Sequence, residues 1–288
     1  MTSLRQAARQ NPIITAGAVI VGLIVIVAVL APLLAPAPAD AGAAVHPENA
    51  LQAPSLHHLF GTDQVGRDVF SRVLYGARVS PLVAFLVLLI ACAIGVPLGV
   101  TAGYFGGVTD EIIMRVTDIF LAFPSLLLAL AFAAVIQPAS LTSLTIAIAV
   151  TWWPWYARLI RGQAASVAGR PYVEACTALG LPRWRILLRH VLPNSLTPLL
   201  VQVSLDAGGV ILTSSALSFL GLGAQDPVPD WGLMVAEGEN YFSTQWWLAT
   251  FPGLAILVTA LAFTMLGDGL RDALDPKRLG DPVKVALR

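Results

Sequence analysis

Gln202, Asp206, Gly209 and Thr213 follow one another at spacings of four, three and four, so on a helix an amide, a carboxylate, a side-chain-free gap and a hydroxyl share one face. The residues around them are almost all apolar. An ionised Asp near the centre of a bilayer costs about 2.5–3.5 kcal/mol, which sends such a face to a cavity or a partner subunit. Two readings follow. The face lines an aqueous path, or Asp206 is hydrogen-bonded between helices without touching any cargo.

A second group lies a little upstream, in Arg170-Pro-Tyr-Val-Glu-Ala-Cys-Thr-Ala-Leu-Gly180. Pro171 suits a first helical position, Glu174 the favourable first turns, and Gly180 the left-handed residue that ends a helix. Tyr172, Cys176 and Leu179 form a stripe at spacings of four and three, and Val173 and Leu179 flank Glu174. A helix of about nine residues is marginal alone in water. It gains its order in a groove on a partner protein, or by lying on the inner leaflet beside Trp184 and the arginines around it. From the residues alone both readings stand.

Other chemistries fall away. All four histidines (His46, His57, His58 and His190) lie outside the apolar runs and no His-Glu-x-x-His helix is present, which argues against an intramembrane hydrolase. No Gly-x-x-x-x-Gly-Lys-Ser/Thr loop exists, and the two lysines, Lys277 and Lys284, lack a glycine-rich lead, so the chain does not cradle ATP. No residue is expected to be catalytic. His57-His58 lacks a third ligand at fixed spacing, and Cys92 and Cys176 are isolated thiols, so neither a metal nor a cofactor is expected on the chain. The formal net charge is zero, which gives no footprint for nucleic acid.

The elements that must position these residues are membrane helices. Of 288 residues 57% are hydrophobic and 12% charged, and the mean hydropathy is +0.76, more apolar material than a soluble core needs. Charge-free runs cover 11–39, 79–109, 119–157, 191–205 with 207–225, and 241–267. A span takes about 20 residues, so the 119–157 run is a hairpin of two helices broken at Gln137-Pro138-Ala139-Ser140. Six transmembrane helices are expected. With the amino terminus inside, 14 of the 17 basic residues are cytoplasmic and only Arg67, Arg72 and Arg78 lie outside, so both termini are cytoplasmic.

The resulting plan is a cytoplasmic tail at 1–11, a first span at 12–35, an extracytoplasmic loop at 36–78, a core at 79–270, and a cytoplasmic tail at 271–288. The core contains a cytoplasmic loop at 164–192 and an extracytoplasmic loop at 222–245. A cleaved signal peptide competes for the first span, but its apolar core is longer than such segments use. Trp152, Trp153 and Trp155 fit an inner aromatic belt, and Trp246 and Trp247 an outer one. Gly95, Gly99 and Gly103, with Ala91 one step earlier, form a flat ridge for close helix packing. Pro97, Pro124 and Pro154 are placed to kink the second, third and fourth helices, as hinges or as static bends. Glu111, Arg115 and Asp118 read as a structural ion cluster. In the outer loops Asp226, Asp230, Trp231 and Glu237 either meet an external partner or cap the bundle.

Glu174-Ala175-Cys176, three residues, Gly180, nine residues, then His190-Val191-Leu192-Pro193 resembles the Glu-Ala-Ala loop of permease subunits of ABC importers. Cys176 replaces the second Ala and His190 an Ile of that pattern. Further segments resemble the second, C-type permease of dipeptide and oligopeptide importers of the peptide/nickel family. They are Gly61-Thr-Asp-Gln-Val-Gly-Arg-Asp68, Asp118-Ile-Phe-Leu-Ala-Phe-Pro124, Leu217-Ser-Phe-Leu-Gly-Leu-Gly223 with Asp230-Trp-Gly232, and 267–276. The chain departs at Thr213-Ser214-Ser215, where relatives often carry an acidic residue, and at Asp206, where a small residue is expected.

The resemblance implies an all-α type I ABC importer permease fold in the bacterial cytoplasmic membrane. It implies as partners a homologous permease, two ABC ATPases that carry ATP and Mg, and an extracytoplasmic substrate-binding protein. The segment Tyr172, Val173, Glu174, Ala175, Cys176, Leu179 and Gly180 would couple to an ATPase, and Gln202, Asp206, Gly209 and Thr213 would line the path of a di- or oligopeptide. The other class left open is a secondary transporter or channel that uses Asp206 as its coupling charge.

Overall fold

The computed structural model describes residues 12–274; the expected tails at 1–11 and 275–288 lie outside the described residues. The described elements are helices. They run α1 Pro12–Leu34, α2 Val69–Phe105, α3 Gly107–Leu121, α4 Ser125–Val135, α5 Leu141–Ala168 and α6 Pro171–Ala178. Next come α7 Arg183–Ile186, a π turn Leu187–Val191 and α8 Leu192–Ser195, followed by α9 Thr197–Phe219, α10 Trp231–Glu239 and α11 Trp247–Leu274. α1, α2, α9 and α11 are long and apolar enough to cross a membrane, and α3 with α4, bent by 87°, would make a fifth crossing if the pair is one span.

Local chemistry sets these boundaries. Asp68 caps α2, accepting from the Ser71 amide at 2.8 Å, so this helix begins ten residues before the apolar run at 79. Gly106 and Gly107, at φ +63° and +55°, turn the chain out of α2 into α3. Pro124, one of the three expected kinks, stands at the start of α4 and ends α3 outright, whereas Pro97 and Pro154 sit inside continuous helices. Ser140 and Ser143 form a reciprocal cap that starts α5 just after the expected 137–140 break.

α5 lies at the centre of the bundle. Of its 28 residues 14 are buried, and it packs most extensively on α2. The glycine ridge makes that packing: a Cβ on Gly95 would stand 2.5 Å from the Trp153 carbonyl oxygen, and those on Gly99 and Gly103 would strike the carbonyls of Ala157 and Arg161. α9 packs on α11, where a Cβ on Gly208 would lie 2.7 Å from the Ala260 oxygen, and α11 in turn carries the largely exposed α1. A core of Val87, Leu144, Ile148, Tyr156, Ile160, Val210, Ile211 and Leu217 joins α2, α5 and α9.

Candidate functional site

α6 is a short helix held on one side only. Pro171 occupies its first turn, and Gly180 at φ +75° ends it. The Leu181 amide bonds the Cys176 carbonyl at 3.2 Å and the Gly180 amide that of Thr177 at 3.0 Å, a double closure that leaves few orphan carbonyls. Val173 is 2% exposed and, with Cys176 and Leu181, packs into the central core. The expected stripe of Tyr172, Cys176 and Leu179 is therefore split. Cys176 turns inward with Val173, three residues away, because the core offers its contacts on that face. Tyr172 and Leu179 face outward, Leu179 80% exposed, with Glu174 and Ala175 also exposed.

Of the four residues singled out on α9, Gln202, Asp206, Gly209 and Thr213, the structure gathers two in one cavity. Gln202 and Asp206 line a space of about 560 Å³ together with Trp152, Trp155, Arg158 and Leu159 of α5. The Gln202 amide nitrogen donates to Asp206 Oδ1 at 2.9 Å. The indole of Trp152 lies beside the carboxylate, and the Tyr156 hydroxyl faces it without closing a hydrogen bond of standard geometry. Gly209, one step along, faces open space, and the Thr213 hydroxyl donates to the Gly209 carbonyl at 2.9 Å. Trp152, Trp155 and Arg158 carry the site as much as α9 does. The sequence hinted at them through two indoles three residues apart with a guanidinium one turn on, a pattern that an aromatic belt produces equally well.

Arg158 also pairs with Asp118 of α3, and Arg161 with Asp110, its Nε donating at 2.9 Å. These two bridges tie α3 to α5. The expected cluster of Glu111, Arg115 and Asp118 is thus redistributed: Glu111 and Arg115 pair only loosely at 3.9 Å on the surface, and Asp118 reaches across to α5.

At the opposite end of the bundle the segments 36–68 and 222–246 lock together. Asp230 caps α10 through the Leu233 amide at 3.1 Å and accepts from Ser80 at 2.9 Å. Trp231 is 2% exposed, its indole donating to the Val73 carbonyl at 3.0 Å. Both residues are engaged inside the chain and offer no surface to a partner. Asp226, its side chain 59% exposed, accepts from Arg67 at 2.6 Å, and Glu237 lies 3.5 Å from Arg72. Arg67 is bound to buried Asp63 as well, at 2.6 Å. Burial lowers the Arg67 pKa, but the hydrogen bonds to Asp226 and Asp63 outweigh it and the net shift is upward. Burial raises the Glu237 carboxyl above its ordinary range, with Arg72 and Arg67 pulling it back in part.

The network of Asp63, Arg67 and Arg72 was missed as a site by sequence reasoning. Its signal was the presence of Arg67, Arg72 and Arg78 in a loop read as extracytoplasmic, against the charge bias. His58 Nδ1 lies 3.2 Å from Asp68 Oδ1, and no group of three or more His, Cys, Asp or Glu stands ready for a metal among the described residues. Two belt assignments also give way. Trp153 is buried edge-on against Phe120 at 5.4 Å, and Trp247 is buried with its indole donating to the Thr62 carbonyl at 3.3 Å. In both cases an indole facing protein found a better partner than the lipid interface supplies.

A bundle of this shape, with a short helix mounted beside its core, has the fold of a type I ABC importer permease. Solved structures of the MetNI methionine ABC transporter in inward-facing conformations superpose with TM-scores of 0.56 and 0.55 at 17% identity, covering 71% and 72% of this chain and 97% and 98% of theirs. The chain belongs to the family of binding-protein-dependent transport system inner membrane components, whose model matches residues 95–280. A second model, the N-terminal TM domain of oligopeptide transport permease C, matches residues 4–54. Among its relatives, the probable D,D-dipeptide transport system permease protein DdpC of Escherichia coli K12 is 48% identical over 94% of this chain and 89% of its own length. The dipeptide transport system permease protein DppC of Alkalihalophilus pseudofirmus is 44% identical over 93% and 87%. The glutathione transport system permease protein GsiD of Escherichia coli O6:K15:H31 is 42% identical over 96% and 90%.

Proposed function

We propose that this chain is the C-type permease subunit of an ATP-driven importer, forming with a homologous permease the path for di- or oligopeptides delivered by a substrate-binding protein. The observation that carries the coupling role is the geometry of α6. Val173 and Cys176 anchor it to the core, Gly180 closes it, and Tyr172, Glu174, Ala175 and Leu179 are left outward for another protein. A helix of eight residues fixed to the bundle on one face transmits a push on its other face as a rigid lever. Two ABC ATPases, holding ATP and Mg, would seat that outward face. Moving a permease from 1:99 to 99:1 between two orientations takes about 5.5 kcal/mol of differential binding, so a loosely seated α6 would let hydrolysis run without transport.

In this reading α3 and α4 form one broken span and α5, about 42 Å long at 1.5 Å per residue, completes six. Both termini and α6 are cytoplasmic, and the locked segments 36–68 and 222–246 face outward. Asp226, with its exposed carboxylate, and the ground around Glu237 then form the part of the outer surface available to the binding protein. The path runs along Gln202 and Asp206, with Gly209 and Thr213 further out.

The test is co-expression with the genomic neighbours, co-purification, and ATPase and uptake assays in proteoliposomes. Expected is a stable complex with a second permease and two ATPases whose hydrolysis and dipeptide uptake rise with binding protein. A chain that purifies alone and moves solute without nucleotide would overturn the reading in favour of a secondary transporter or channel.

A further inference from the structure

The cavity between α5 and α9 carries opposite charges on its two walls, and this has a chemical consequence. Asp206 stands on one wall with only neutral donors around its carboxylate, namely Gln202 at 2.9 Å, Trp152 and Tyr156. Among the described residues no Lys, Arg or His forms a salt bridge with Asp206, although Arg158 lines the same cavity. On the other wall Arg158 shares its guanidinium with Asp118, and both side chains are about half exposed. Trp152 and Trp155 line the same cavity. The volume of about 560 Å³ falls within the roughly 300–1,000 Å³ of sites that hold small molecules.

We propose that this cavity is a subsite for the termini of a zwitterionic peptide, Asp206 taking the α-ammonium group and Arg158 the α-carboxylate. The inference rests on the translocation reading above and adds the chemistry by which the path would recognise its cargo. A carboxylate set in an apolar wall among neutral donors lacks a counter-ion, and an ammonium group brings one together with hydrogen-bond donors. A guanidinium already oriented by one carboxylate at its exposed edge exchanges readily for a second, since the exposed pair it leaves is worth little. The Gln202 bond fixes one oxygen of Asp206 and turns the carboxylate to present the other. A neutral solute of the same size would have to desolvate Asp206 without replacing its water, which is how a polar site rejects an isostere.

The experiment uses the nucleotide-free complex of both permeases and both ATPases, without binding protein, so that only a site within the complex is read. Radiolabelled Ala-Leu is bound by equilibrium dialysis and competed with N-acetyl-Ala-Leu and with Ala-Leu amide. In the wild type each blocked peptide is expected to compete at least about tenfold more weakly than Ala-Leu. In Asp206→Asn the penalty for acetylation is expected to fall to within about twofold while that for amidation persists, and Arg158→Gln is expected to do the reverse. Equal competition by the blocked peptides in the wild type, an unchanged acetyl penalty in Asp206→Asn, or no saturable binding up to about 10 mM overturns the proposal. The wild-type arm decides even if a variant does not assemble. ATP-driven uptake of Ala-Leu by the wild-type complex, measured in parallel with binding protein, separates the two claims. Uptake without the binding pattern removes only the subsite, whereas absence of any ATP-driven uptake removes the broader reading.

Discussion

Gly180 and Gly99 do different work, and each makes a prediction at its own position. Gly180, at φ +75°, ends α6 in the left-handed region, where a side chain costs roughly 1–2 kcal/mol. Gly180→Ala is expected to loosen the helix without unfolding the bundle, seen as faster hydrogen exchange confined to 171–181. Gly99 is needed for space, since a Cβ there would strike the backbone of Ala157, which cannot step aside. Gly99→Leu is expected to cost at least about 1–3 kcal/mol and lower the melting temperature in detergent, whereas Gly162→Ala, with nothing within 4 Å, is expected to leave it unchanged or raise it. Both glycines were legible in the sequence, one by its place after a helix and the other by its four-residue repeat. The split stripe of α6 was not. Periodicity says which residues share a face, but Val173 and Cys176 turn inward because of core residues such as Ile186 and Val167, far from them in periodic pattern and near them only in the fold.

At the scale of elements, composition located the helices and tertiary contacts decided their roles. The break at 137–140 follows from proline and serine chemistry that any reading of the chain can see. The 87° elbow between α3 and α4 was legible only as a kink at Pro124. What makes it an elbow is the pair of bridges, Asp110 to Arg161 and Asp118 to Arg158, that hold α3 against α5. The interlocked segments 36–78 and 222–245 were read as loops, because their strength lies in ion pairs 159 and 165 residues apart in sequence. Removing Arg67 leaves buried Asp63 with only the longer 3.8 Å pairing to Arg72, so Arg67→Ala is expected to cost up to about 3–5 kcal/mol and to expose this region to proteolysis first. Glu237 gives a pH dependence of definite sign. Its folded pKa lies above the ordinary 4.5, so its contribution to stability is full below 4.5 and is lost as pH rises through the raised value. Glu237→Gln is expected to remove that loss, flattening the stability profile above pH 4.5 in a pH series of thermal melts.

At the scale of the whole molecule, one rigid element joins α6 to the cavity. α5 carries the cavity residues Trp152, Trp155 and Arg158 and, at its far end, leads directly into the turn that begins α6. A displacement of α6 therefore reaches the cavity through a single helix that is packed along its length against the glycine ridge of α2. The family was legible because short motifs such as Glu174-Ala175-Cys176 with Gly180 survive in the chain. The cavity was not, since it is made by two helices whose contact no local pattern encodes.

The most direct measurement of the central claim is the ratio of peptide transported to ATP hydrolysed in the reconstituted complex, for the intact chain and for Glu174→Ala. The account predicts that the variant complex still assembles and hydrolyses ATP while peptide transport per ATP falls by at least about tenfold, the equivalent of roughly 1.4 kcal/mol lost from the coupling. An unchanged ratio in an assembled Glu174→Ala complex would contradict it.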